Sequence, residues 1–260
     1  MAIRTVLMLL AGFLTSLAAQ AECDKLVLTA DPSYPPMHWY DGTQFHGASV
    51  TIAKRVLDEL KIPYEVRYLG PFPRVVNAAE QGDVDMVVTL KKTPEREQFL
   101  LYPRTAALAN PVAVFASRER MFKFKDRTDL VGRRGGITRG NVFGDDFDEF
   151  LRHHLSIEEA DSPENNFSKL GAARIDYFIT GYYAGMAYLL KRGDEMRFTA
   201  LSPFVVDTPN YLALTRKGRC ADKLDAIDAK LAQLKKSGVV EELIRQAFAQ
   251  WKQNPVVAVK

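Results

Sequence analysis

Arg96 stands where helix electrostatics argue against it. It closes the segment Gln81-Gly-Asp-Val-Asp-Met-Val-Val-Thr-Leu-Lys-Lys-Thr-Pro-Glu-Arg96, which reads as a polar turn, a short buried strand and a loop ending in a helix start. Thr93 suits an N-cap, Pro94 the first helical position, and Glu95 the positive end of the helix dipole. A cation in that first turn opposes the dipole. Either a nearby acid (Asp83, Glu95 or Glu97) balances Arg96, or the residue is held there to meet an anion. In the second case the chemistry is recognition, because a guanidinium grips a carboxylate through two charge-assisted hydrogen bonds.

The elements that would position Arg96 alternate between strand and helix. Lys25 to Ala30 is a short apolar strand, followed by a Pro-rich aromatic loop through Trp39 and Tyr40. Ala53, Val56, Leu57 and Leu60 share one helical face, and Ile62-Pro63 ends that helix. Tyr64, Val66 and Tyr68 alternate as a strand, a helix follows around Arg74 to Gln81, and Met86 to Val88 is the next strand. This βαβαβ order implies a mainly parallel sheet covered by helices.

From Asn110 to Ser117 the chain is extended and apolar, then changes to the charged stretch Arg118 to Thr128, a first crossing into a second lobe. There the pattern repeats, with strands near 134–137, 157–160 and 177–179 and helices through Phe147, Phe150 and Leu151, through 165–173 and through 182–191. Ser202 to Pro209 reads as the return crossing and Tyr211 to Thr215 as a strand back in lobe one. Two apolar helical stripes end the chain, Leu224, Ile227, Leu231 and Leu234, then Val240, Leu243, Ile244 and Phe248; both read as core packing. Ligands of parallel α/β sheets gather at the carboxyl ends of strands. Three loops meet that description, Tyr34 to Tyr40, Thr89 to Arg96, and Thr138 to Asn141.

Several of these segments carry a resemblance. Ala30-Asp-Pro-Ser-Tyr-Pro-Pro-Met37, the Gly47 to Leu60 strand-to-helix turn, the Gly82-x-x-Asp85 turn, Thr93-x-x-Arg96 and Arg174-Ile-Asp176 follow in order. In that order they resemble the bacterial extracellular solute-binding proteins of family 3, the amino-acid receptors of ABC importers, over roughly Lys25 to Trp251. The resemblance implies an α/β, two-lobed periplasmic-binding-protein fold (type II), each lobe a mainly parallel sheet flanked by helices, with two hinge crossings. Residues 22–115 and 208–260 would form lobe one and 116–207 lobe two. Arg96 would hold the ligand carboxylate and Thr89 would add a hydroxyl or backbone contact. The Arg139-Gly-Asn141 loop would close over the same anion.

Tyr34, Trp39 and Tyr40 could wall the ligand, although aromatics beside prolines also plug a lobe's rim. Tyr182 or Tyr183 would line the cleft, whereas Arg174 and Asp176 read as structural. Two positions depart from the amino-acid pattern. Gly181 stands where such receptors place an aspartate for the ligand ammonium, and Lys91 where they offer a small hydroxyl. Lys91 either points into solvent or adds a cation that favours a carboxylic or keto acid, and Asp31 or Asp207 could substitute for the missing acid.

Arg4, the apolar run from Val6 to Leu17 and Ala19-Gln-Ala21 read as a signal peptide over residues 1–21, too short for a membrane span. Its removal takes one cation and no acid, lowering the net charge from +3 to +2, which favours neither nucleic acid nor membrane partners. In an exported chain the two cysteines, Cys23 and Cys220, suggest one disulfide. His38, His46, His153 and His154 lack metal-ligand spacing around either cysteine, so neither metal nor cofactor is expected. The reading is a periplasmic, monomeric receptor whose partners are a small-molecule ligand and a membrane permease. It has two alternatives, a ligand-sensing partner of a membrane receptor and an exported lyase of the cyclohexadienyl dehydratase type. The lyase would need an acid of raised pKa near Arg96. No Gly-x-Ser-x-Gly elbow, phosphate-binding Gly-rich loop or His-Glu-x-x-His helix is present.

Overall fold

A computed structural model describes residues 23–253, so the signal-peptide expectation lies outside the described residues. β1 (Leu26–Thr29) is followed by a small antiparallel sheet of β2 (Ser33–Tyr34), β3 (His38–Tyr40) and β4 (Phe45–His46). Next come α1 (Ala48–Glu59), β5 (Tyr64–Val66), α2 (Phe72–Gln81) and β6 (Met86–Lys91). β1 pairs in parallel with both β5 and β6, as the βαβαβ order requires. After β7 (Leu100–Leu101) the chain enters β8 (Leu108–Ser117), then β9 (Arg134–Thr138), α3 (Asp145–His154) and β10 (Ser156–Ala160). α4 (Pro163–Gly171), β11 (Tyr177–Gly181), α5 (Tyr182–Arg192) and β12 (Phe198–Ala200) complete this half. β13 (Val206–Thr215) returns to the first half, and α6 (Leu224–Lys236) and α7 (Val239–Gln253) follow.

The two halves are joined in one ten-stranded sheet, ordered β10-β9-β11-β8-β13-β6-β1-β5, with β12 on β8 and β7 on β13. Both flanks are parallel, and the two long central strands run antiparallel to each other. Residues 108–112 of β8 pair with 206–210 of β13, so the crossings satisfy each other's backbone groups where neither half could. The extended run, the return crossing and the strand read separately from the sequence are therefore two continuous strands.

Apolar patterning explains the layers. Ile52, Val56 and Leu57 of α1 and Ile227 and Leu231 of α6 are fully buried against Leu26, Leu28 and Met86. In the second half Phe167 and Leu170 of α4 cover Phe115 and Phe178. The Gly-x-x-Asp turn has a structural task. Gly82 caps α2 in the left-handed region (φ 83°), and the buried Asp85 carboxylate accepts the N–H groups of Val27 (2.8 Å) and Arg219 (2.9 Å). Asp176 is likewise structural, accepting the Arg134 N–H at 2.8 Å.

α7 packs on α1, and its Trp251 indole N–H donates to the Ala187 carbonyl of α5 at 3.1 Å, tying the two halves together again. α5 in turn lies close on β8 because Gly185 has no side chain. A Cβ there would meet the fully buried Phe115 ring at 2.4 Å. Gly185→Ala is expected to cost about 1–3 kcal/mol of stability by overpacking, read from urea denaturation.

Cys23 and Cys220 are joined in a disulfide across 197 residues of sequence, with Cα atoms 4.8 Å apart. Closing so long a loop restricts the unfolded chain, a contribution of at most about 5 kcal/mol. Paired denaturation curves with and without reductant, with Cys220→Ser as control, are expected to show a loss of about 2–5 kcal/mol.

Candidate functional site

The carboxyl end of β6 carries the least ordinary backbone of the first half. Thr89 adopts φ 63°, left-handed for a β-branched residue, next to an irregularity in the β6–β13 ladder. Such a conformation costs about 1–3 kcal/mol and persists only where the surroundings impose it. The Thr89 hydroxyl is buried without a partner. Beyond it, the expected helix is a single 3-10 turn, Arg96–Gln98. A longer helix is precluded because Leu100 is drawn into β7, paired with Thr215 of β13. Thr93 still caps in the expected sense, its hydroxyl accepting the Arg96 N–H at 3.3 Å.

The Arg96 side chain is braced from the protein side. Its Nη1 donates to the Lys91 carbonyl at 3.1 Å, and its guanidinium lies 5.6 Å from the Phe72 ring centroid. The Tyr102 hydroxyl donates to the same Lys91 carbonyl at 3.1 Å. Burial pushes that hydroxyl up to about 12, against the opposing effect of Arg96, so it remains a donor. Among the described residues no carboxylate comes within 4 Å of Arg96, and Glu97 is instead bound by Lys92 at 2.8 Å. The balancing-acid alternative is therefore not the one adopted. Lys91, half-buried at the end of β6, has no acidic partner among the described residues either.

A second group forms where the halves meet. The Tyr34 hydroxyl donates to Asn110 Oδ1 of β8 at 2.5 Å. Burial, with Tyr183 adding to it, raises the Tyr34 pKa well above the usual phenol range. Gly181, the last residue of β11, faces this hydroxyl, and a Cβ on it would lie 3.9 Å from the Tyr34 oxygen in open contact. Tyr182 follows at the start of α5 and packs on Tyr183 (5.4 Å), Phe204 (5.2 Å) and Phe248 (6.2 Å). Tyr34, Gly181 and the Tyr182-Tyr183 pair thus come together, as do Thr89, Lys91 and Arg96 at the end of β6.

Two expected residues stand apart. Trp39 is only 2% exposed and packs on Trp251 (5.2 Å) and His46 (5.4 Å), so it has no face to offer a ligand. Both faces of β3 are covered there, since His38 is as buried as Trp39, while Tyr40 stacks on Tyr68 at 4.0 Å. Asn141 is exposed and lines a surface depression with Ile137, Arg152 and Glu159. Its neighbour Arg139 pairs with Asp161 (3.1 Å) and Glu159 (3.9 Å), at the end of β10.

Of the two substitute acids, Asp31 is half-buried and its pKa is raised by that burial, although the Ser33 N–H it accepts at 3.0 Å opposes the shift. Asp207 is exposed, near Tyr183. Phe72, Tyr102 and Asn110 were not predicted. Only Asn110 left a trace in the sequence, as an amide in the otherwise apolar run Leu108 to Val114. Among the described residues no group of three or more side chains could hold a metal ion, and no helix is long and apolar enough to cross a membrane.

His38 underpins the Tyr34 loop, with its ring 5.4 Å from that of Tyr34 and its Nδ1 3.2 Å from the Ser49 hydroxyl. Complete burial lowers its pKa to about 3. The unfolded chain binds a proton at this histidine near pH 6.5 and the folded chain does not, so its contribution is fully present above pH 6.5. That stability is lost as pH falls from about 6.5 toward about 3. Urea titrations at pH 7.5, 6 and 5 are expected to show the decline, and His38→Gln to flatten it.

No curated protein matches the chain. Among solved structures, an ancestral cationic amino acid solute-binding protein aligns with TM-score 0.67 at 18% identity, covering 86% of this chain and 96% of that one. The second substrate-binding domain of GlnP from Lactococcus lactis, in an open conformation, aligns with TM-score 0.68 at 16% identity, covering 86% and 95%. The substrate-binding protein AbpA of an amino acid ABC transporter from Streptococcus pneumoniae, bound to L-arginine, aligns with TM-score 0.57 at 20% identity, covering 87% and 95%. These likenesses show a two-lobed binding-protein fold. The family model for bacterial extracellular solute-binding proteins, family 3, matches residues 26–250, and the chain belongs to that family.

Proposed function

We propose that this protein is a periplasmic receptor that captures a small carboxylate-bearing metabolite between its lobes and delivers it to the permease of an ABC-type importer. Residues 1–21 act as the signal peptide. Lobe one comprises 22–115 and 208–260, lobe two 116–207, and β8 and β13 provide the hinge about which the cleft closes. The observation that carries the reading is Arg96, a cation braced by Phe72 and the Lys91 carbonyl with no acid of its own among the described residues. A guanidinium held in this way is preorganised for a carboxylate from outside. The unpaired Thr89 hydroxyl, on strained backbone beside it, is a further contact for the same ligand.

One observation favours the lyase alternative. Asp31 follows β1 in the same loop as Tyr34, and burial holds its carboxyl above the usual range, as a proton acceptor would require. Receptor and lyase separate on turnover, since a receptor returns its ligand unchanged. NMR of a bound acid over hours is expected to show no conversion, and conversion abolished by Asp31→Asn would establish the enzyme. For the receptor, Arg96→Met is expected to weaken carboxylate binding at least about a hundredfold by calorimetry. Arg96→Lys should recover only part of it, because an ammonium lacks the planar fork. Unimpaired binding by Arg96→Met would sink the assignment.

A further inference from the structure

The ladder between β6 and β13 carries an extra residue on the β6 side. Tyr211 stands opposite Leu90 and Ala213 opposite Val87, so Val88 and Thr89 together face Leu212. Thr89 takes the left-handed conformation (φ 63°) that such bulges commonly give to glycine. The bulge changes the face on which the later residues of β6 lie. Met86 and Val88 pack in the core beneath α1 and α6, and Val87 in the core on the other side of the sheet, as alternation requires. Leu90 then joins Val87 and not Val88. Lys91 is thereby moved off the face of Val87, where unbroken alternation would put it, and onto the face of Met86 and Val88.

Register says what Lys91 meets there. It stands opposite Asn210 of β13, which stands opposite Leu108 of β8, and directly opposed residues share a sheet face. Leu108 packs in the same core as Val88, and Tyr34 lies against that core with its hydroxyl 2.5 Å from Oδ1 of Asn110, two residues beyond Leu108. The face that carries Lys91 is thus the one roofed by the Tyr34 loop. Asn210 is only 4% exposed, and its Oδ1 is buried without a partner. An ammonium can only donate, so a Lys91 side chain turned toward Asn210 pairs with the amide oxygen and keeps its other hydrogens free. The second cation is close by, because Arg96 Nη1 donates to the carbonyl of Lys91 itself at 3.1 Å. Among the described residues neither cation has a carboxylate within 4 Å.

We propose that the Thr89 bulge aims Lys91 at Asn210, and that these two residues form a second anion station beside the carboxylate anchor at Arg96. The ligand class that follows is a small dicarboxylate. One carboxylate meets the Arg96 guanidinium, and the other meets the Lys91 ammonium held by Asn210 Oδ1. A ligand with a single carboxylate leaves Lys91 uncompensated beside Arg96, and a ligand ammonium placed at Asn210 stands next to two cations. This inference rests on the carboxylate-binding reading above and deepens it.

The test is calorimetry on the purified protein with acids that differ at one end: butyrate, succinate and 4-aminobutyrate; 2-oxovalerate and 2-oxoglutarate; L-norvaline and L-glutamate. In a set that binds, the dicarboxylate is expected to bind at least about tenfold more tightly than its methyl-ended counterpart, and the advantage to shrink as salt is raised. Lys91→Met should bring the two close to equal while sparing the monocarboxylate. Asn210→Ala withdraws the oxygen that holds the ammonium and should remove part of the advantage. The wild-type ratio needs no variant, which keeps the proposal testable if Lys91→Met fails to fold. A wild-type ratio near one, a ratio unchanged in Lys91→Met, or binding of no dicarboxylate in the panel overturns the proposal. Tighter binding of 4-aminobutyrate than of succinate also overturns it, by giving the Asn210 oxygen to a ligand ammonium. Arg96→Met separates the two levels. Loss of every member of a set upholds carboxylate anchoring whatever the ratio shows, and unimpaired binding overturns the anchoring itself.

Discussion

The antiparallel pairing of β8 with β13 is the constraint on which the rest of the structure depends. Two α/β halves, each with a parallel flank, could each end in an unpaired edge. Instead the chain crosses out through β8 and back through β13, and the crossings hydrogen-bond to each other over residues 108–112 and 206–210. One sheet then runs through both halves without exposing backbone at the junction. The junction is also where Asn110 lies, with Gly181 of β11 paired to its neighbour strand at Val112.

Some of the protein's unmet polar groups lie toward that junction. Many surface charges elsewhere pair with a nearby opposite charge, such as Lys25 with Glu65 or Lys252 with Glu195. Arg96 instead receives a carbonyl and an aromatic ring, which fix its position without neutralising it. The Thr89 hydroxyl and the Asn210 Oδ1 are buried without partners. Each such group weakens the folded chain unless something outside completes it. A binding protein has reason to tolerate that cost, because the ligand recovers it.

The same economy explains the polar residues that are satisfied. Asp85 and Asp176 sit in turns before strands of their respective halves, and both accept backbone N–H groups from a neighbouring segment. They hold strands in register, so they are features of the fold and not of the cleft. Gly185 does comparable work by absence, letting α5 settle on Phe115 and so placing its first residues beside Tyr34.

Much of this was legible in the chain itself. Alternation of apolar strands with amphipathic helices determined the α/β class, and the two cysteines determined which disulfide could form. The spacing of Thr93, Pro94, Glu95 and Arg96 marked a cation out of place. Only the tertiary structure decided what surrounds that cation, because Phe72 and Tyr102 reach it from other elements and leave no local pattern. It also decided that Trp39 is core, since a Pro-rich aromatic loop looks alike whether its rings face a ligand or another tryptophan 212 positions further along. Asn110 is the plainest case. Its residue type was readable, but its hydrogen-bond partner is a tyrosine 76 residues earlier, and long-range hydrogen bonds have no periodicity for a sequence to display.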